Sequence, residues 1–227
     1  MEASVIDTHT GLQRSQRIDL CRTGRGARLV NFLLATLLSA IAKNFYRPEV
    51  EMISRRLRDL LEGNPITDEY DNVILALIEA EDHRFALHYG VDTLSIVRAI
   101  VATLVTRQPQ GGSTITQQLV RVITSDYRKT ASRKVREMCF AAWVDARFSK
   151  HEQAVSYLNI AYFGWRMNGY REAAARLQLN TPCNPSEAAA LVARLKYPEP
   201  QWPAEERLQK IKERQAHIVR RTETRVT

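Results

Sequence analysis

Along most of the chain, apolar residues return every third or fourth position, the interval of one helix face. The pattern predicts helices over Glu49 to Leu61, Asn72 to Glu81, Thr93 to Val105, Ile115 to Ile123 and Ser132 to Phe148. It continues over His151 to Ile160, Tyr170 to Leu179 and Ser186 to Leu195. No segment alternates as a half-buried strand does. Breaker residues at Gly63-Asn64-Pro65, from Pro109 to Gly112 and from Asn180 to Pro185 mark loops. The expectation is one mainly α domain over residues 47–200. A charged helix from Ala204 to about Arg221 follows within residues 201–227, with Leu208, Ile211 and Ile218 on one side.

Residues 1–46 differ. Arg14, Arg17, Arg22, Arg25 and Arg28 precede an apolar run from Leu29 to Ala42, about 14 residues long. A helix that crosses hydrocarbon needs roughly 20. Basic residues ahead of an apolar segment stay on the cytoplasmic side, which would place the rest of the chain outside. Ala40-Ile41-Ala42 has the small-x-small form of a signal-peptidase site, which would release the mature protein. Alternatively Phe45 and Tyr46 form an interfacial aromatic end and Lys43 snorkels, giving an uncleaved anchor, the favoured reading. A third reading is an ordinary buried helix.

Composition adds bounds. The 227 residues are 44% hydrophobic and 26% charged, enough for one domain with a full core and short appendages. A formal net charge of +8 points to an anionic partner: nucleic acid, anionic lipid or a pyrophosphate-bearing substrate. Three cysteines, Cys21, Cys139 and Cys183, are too few and too irregular for a disulfide framework or a zinc site. Cys139 lies in an apolar run and reads as a buried thiol.

Two carboxylates stand out. Glu81 falls three residues after Ile78 and four after Leu77, so it continues an apolar helix face. Partial desolvation there would favour a general base working near neutral pH; the alternative is a helix-end ion pair with Arg84. Glu137 directly precedes an apolar run from Met138 to Val144, with Arg133 four and Lys134 three residues before it on the same face. Those cations would hold it ionised, whether in a site or in a structural ion pair.

Gly111-Gly112-Ser113-Thr114-Ile115-Thr116-Gln117 is a glycine pair leading into a helix, with Thr114 and Gln117 at capping-box spacing. Glycine lets a backbone approach a ligand, and the N–H groups of a helix start attract anions. Arg121, Arg128, Lys129, Arg133, Lys134 and Arg136 follow, opposed before Glu137 only by Asp126. The segment lacks the interleaved aromatics and helix-turn-helix or finger pattern of a nucleic-acid reader, and no nucleic-acid partner is expected.

Read together, these segments resemble a known family. Ala80 to Asp92 is similar to the EDxxFxxHxGxD motif of the family 51 peptidoglycan glycosyltransferases. Gly111 to Arg121 resembles their GGSTITQQL motif with its following base, and Arg133-Lys134-Val135-Arg136-Glu137 their RKxxE motif. Lys150, Tyr157-Leu158-Asn159 and Phe163-Gly164 resemble the fourth, and order and spacing agree from about residue 70 to 198. The resemblance is to the monofunctional, transpeptidase-free members. It implies a lysozyme-like, bilobal helical fold and the polymerisation of lipid II, with inversion and release of undecaprenyl pyrophosphate. Glu81 would be the general base, supported by Asp82, with Glu137 as the second acidic residue. Ser113, Thr114, Gln118, Arg121, Lys129, Arg133 and Lys134 would bind substrate. No cofactor is required and no residues are assigned to a metal, although a divalent cation, Mg or Mn, at the pyrophosphate is compatible with the resemblance. Implied partners are lipid II, the growing glycan strand, the membrane and other cell-wall synthases, with the domain on the outer face of the bacterial cytoplasmic membrane.

Departures from the family pattern are Val155, where Glu is usual, Leu177-Gln178-Leu179-Asn180 in place of an aromatic-Phe-Gly-Lys element, and Arg121 where Lys is commoner. They bear on affinity and processivity more than on chemistry. Two other functions compete: a lysozyme-type lytic enzyme with Glu81 as acid, and a non-catalytic member that holds lipid II or a partner synthase. The basic cluster opposes the first, because a neutral leaving group needs no phosphate clamp.

Overall fold

The structure, a computed structural model, describes residues 25–64, 67–107, 111–202 and 204–226. Arg14, Arg17, Arg22, Cys21, Pro65 and Pro109 lie outside the described residues. The chain is mainly helical. In order come α1 (Arg25–Phe45), α2 (Arg47–Gly63), α3 (Asp71–Glu81), α4 (Thr93–Thr106), α5 (Ile115–Thr124), α6 (Ala131–Asp145) and α7 (Lys150–Ile160). A hairpin of β1 (Tyr162–Gly164) and β2 (Met167–Asn168) follows, then α8 (Tyr170–Leu177), α9 (Pro185–Lys196) and α10 (Glu205–Val226). The antiparallel hairpin was not expected, because strands of three and two residues are too short to display an alternating pattern.

The helix ends are set by local chemistry. Asp92, Thr114, Thr130, Ser149 and Asn184 each accept a backbone N–H of the first turn of the helix that follows. The caps at Ser149 and Asn184 are reciprocal, with Glu152 and Glu187 reaching back to the cap backbone. At Thr114 only half of the expected box forms: Thr114 accepts from the Gln117 N–H at 3.2 Å, while the Gln117 side chain turns to Lys134.

Two packed groups of helices carry the core. Helix α5 lies against α6 and α7, burying Ile115, Leu119, Phe140, Val144 and Leu158. Helix α3 lies against α9 and α10, burying Val73, Leu77, Leu191, Ile211 and Ile218. The charged helix α10 is therefore packed onto the helix that ends in Glu81.

Helix α1 packs along α6 through Asn31, Ala35, Leu38 and Ala42, all buried. Asn31 accepts hydrogen bonds from the Thr93 backbone and hydroxyl, and the Phe32 and Tyr89 rings meet edge to face at 5.5 Å. The opposite face exposes Leu29, Val30, Leu33 and Leu37, and α4 nearby exposes Leu94, Val97, Val101, Leu104 and Val105. Among the described residues no single helix is long and apolar enough to cross a membrane, although Leu29–Phe45 and Arg47–Gly63, bent by 105°, reach that length together.

Candidate active site

Helix α3 stops at Glu81, and the loop behind it is built from buried polar contacts. Asp82 accepts from the Ile115 N–H at 3.0 Å, at the first turn of α5, and faces His88 Nε2 at 2.9 Å. Arg84 donates to Asp92 at 2.9 Å, so it is not Glu81's partner. Gly90 sits at φ +79°, and a Cβ there would lie 2.3 Å from the Ala141 carbonyl of α6. The Gly90 carbonyl accepts from the Thr114 hydroxyl at 2.7 Å. Thr114, buried and bonded at both ends, thus ties the loop to the start of α5.

The Glu81 carboxylate faces two donors. Gln118 Nε2 lies 3.2 Å from Oε2, and Arg214 of α10 lies 3.4 Å from Oε1 while also donating to the Ala80 carbonyl. Tyr157 donates in turn to Gln118 Oε1 at 2.7 Å. Burial first, and then the charge of Glu81, push the Tyr157 phenol well above its ordinary value, so it stays a donor. That fixes the Gln118 amide with its NH₂ toward Glu81.

Three residues along α5, about 4.5 Å in rise, Arg121 meets Glu137. The contact is bidentate, Nε to Oε2 at 2.8 Å and Nη2 to Oε1 at 3.2 Å. Arg133 also pairs with Oε2, and Lys134 with Oε1 at 2.6 Å. Burial would push the Glu137 carboxyl up, but hydrogen bonds from Arg121 and Lys134 outweigh it and hold it below the usual range. Burial depresses the Lys134 ammonium despite that partner. The bond to Glu137 strengthens Arg121's hold on its proton. Three cations on one carboxylate leave positive charge in excess.

Ser113 joins this group, accepting from Lys134 at 2.9 Å and Arg121 at 3.4 Å. Lys134 also donates to Gln117 Oε1 at 2.7 Å. Lys129 is exposed between α5 and α6. Arg128 and Arg136 pair with Asp126, which separates them from the set around Glu137. Lys150 pairs with Asp145 at 2.6 Å and lies over the Phe85 ring. Val155 is fully buried in the core, and Gln178, at the left-handed end of α8, is exposed. Among the described residues no three His, Cys, Asp or Glu side chains converge as metal ligands, and Glu137 is already engaged by three cations. These side chains do not by themselves form a divalent-cation site.

Sequence reasoning did not find Arg214. It lies 133 residues from Glu81, in a helix with many similar basic residues, and nothing local distinguishes it. Tyr157 was visible as part of a motif but not as the residue that orients Gln118.

Helix α5 thus holds two carboxylates from other helices one turn apart, Glu81 of α3 through Gln118 and the cation-clamped Glu137 of α6 through Arg121. The chain belongs to the transglycosylase family, whose model matches residues 46–223. It is similar to the monofunctional glycosyltransferases of Staphylococcus aureus strains JH9, Newman and USA300, each 43% identical over 89 residues. That alignment covers 39% of this chain and 33% of each relative, so the matched part spans about a third of their length.

Proposed function

We propose that this protein is a peptidoglycan glycosyltransferase that polymerises lipid II. In this reading Glu81 takes the proton from the acceptor sugar's 4-hydroxyl as that oxygen attacks the anomeric carbon of the donor. The bond from that carbon to the diphosphate breaks with inversion, and undecaprenyl pyrophosphate leaves. Arg121, Arg133 and Lys134 receive its negative charge, with Lys129 at the exposed edge and Glu137 holding the three in register. Fixed cations aimed at developing charge need little reorganisation in the transition state. A divalent cation would enter with the diphosphate, whose oxygens are its natural ligands. The observation that carries the reading is the placement of Gln118 and Arg121 one turn apart on α5, each holding one of the two carboxylates.

The reading includes a two-lobed, lysozyme-like arrangement and residence at the outer face of the cytoplasmic membrane, where other cell-wall synthases work. The exposed apolar faces of α1 and α4 support membrane contact, since soluble surfaces rarely leave such rows uncovered. Incubation with labelled lipid II tests the activity. Long glycan is expected; binding without product would identify a scaffold, and shortening of preformed glycan a lytic enzyme.

A further inference from the structure

A separate cavity of about 410 Å³ opens where the end of α1, the start of α2 and the end of α6 meet. Lys43, Arg47 and Arg147 line it, with Trp143 and Val50 on its walls. The Arg147 guanidinium lies 4.1 Å from the Trp143 ring centre and donates to the Trp143 carbonyl at 3.0 Å. Among the contacts of the described residues no carboxylate pairs with it. Glu51, the carboxylate at this cavity, pairs with Arg47 at 3.0 Å, with side chains 61% and 79% exposed. Such an open pair is weak. Three cations therefore face one loosely held carboxylate.

The cavity's position gives its ligand a second property. Along α1 the exposed apolar row of Leu29, Leu33 and Leu37 gives way to exposed Lys43 and Asn44, and Phe45 is 78% exposed. Apolar, then aromatic and basic, is the order of environments from hydrocarbon to headgroups. We propose that this cavity holds the phosphate of an anionic membrane phospholipid, its acyl chains running along the exposed face of α1. The assignment rests on the membrane reading above, but it uses none of the residues around Glu81 or Glu137.

The full chain tests it, with Trp165→Phe and Trp202→Phe so that Trp143 alone fluoresces. It is reconstituted into phosphatidylcholine vesicles with equal small fractions of phosphatidylglycerol or phosphatidylcholine brominated near the glycerol. Brominated phosphatidylglycerol is expected to quench Trp143 preferentially. Lys43→Gln with Arg47→Gln, both exposed and leaving the Arg147 stack intact, should weaken that preference by about fivefold per cation. Lys212→Gln with Arg220→Gln, the same charge change on α10, should leave it unchanged. Equal quenching by both lipids, or equal loss in both double variants, overturns the pocket while membrane residence stands. Removal of the preference by millimolar glycerol 3-phosphate would make this a site for soluble anions and overturn the lipid assignment. A protein that does not float with neutral vesicles removes the membrane reading and this proposal with it.

Discussion

The Arg214 guanidinium reaches the Glu81 carboxylate at 3.4 Å although 133 residues separate them in sequence. The same group bonds the Ala80 carbonyl, so it grips both the side chain and the end of the helix that carries it. Arg214→Ala should lower kcat about tenfold or more with KM little changed, the scale of one hydrogen bond to a charged group. Arg214→Lys should recover part of the loss. Equal rates in the parent and Arg214→Ala would make the contact incidental.

Glu81→Gln keeps the shape and the Gln118 contact but cannot take a proton. Polymerisation should fall at least ~10²-fold while the fold and lipid II binding persist. Near-parental turnover in a lipid II assay would remove Glu81 as the base.

Glu137 links stability to pH. Its folded pKa is depressed, so its contribution is present in full above the ordinary carboxylate range, about 4.3, and is lost as pH falls through the lower folded value. Glu137→Gln should cost about 3 kcal/mol at neutral pH, the low end for breaking a buried pair. The low end applies because the Arg121 and Lys134 side chains remain 29% and 32% exposed. Thermal unfolding across pH should show a flatter acid limb in the variant. Asp92, also depressed once Ser95 and Arg84 outweigh its burial, keeps part of that limb.

Arg133→Ala and Lys134→Ala each remove one charge-assisted contact at the proposed leaving-group site. Each should weaken binding of undecaprenyl pyrophosphate by roughly 1.5–3 kcal/mol, measurable by product inhibition. Unchanged inhibition in both would make the cluster a structural network.

Gly90→Ala should destabilise by at least about 2 kcal/mol, a fall of at least about 4 °C in Tm. The added Cβ meets the Ala141 carbonyl at 2.3 Å, at a φ of +79° that L side chains rarely adopt. A variant melting with the parent would show that the loop can shift off α6.

At the membrane, Leu33→Glu with Leu37→Glu should release protein from high-salt-washed membranes that retain the parent. Salt screens the basic surface but not apolar contact. The mass of the exported chain adds a check. Cleavage after Ala42 would leave a product starting at Lys43 and remove the helix buried along α6.

Most helices were legible because periodicity reports which face is buried, most clearly in α5, a short, strongly amphipathic segment capped by Thr114. The clamp on Glu137 was partly legible, since Arg133 and Lys134 share its helix face, whereas Arg121 approaches from another helix. Spacing suggested Arg84 for Glu81, but the turn after α3 sends Arg84 to Asp92. The capping-box reading failed at Gln117 because the Lys134 ammonium competes for its side-chain carbonyl. Tertiary partners of this kind leave no local pattern.

Synthesis proceeds from the amino terminus, so α3 leaves the ribosome long before α10. Until α10 docks, Glu81 lacks Arg214, and α3 and α9 lack the helix that packs on them with Ile211 and Ile218 buried. The nascent chain therefore carries an incomplete site until α10 emerges. A domain threaded across a bilayer behind a segment whose basic end stays inside would acquire its complete constellation only after α10 has passed.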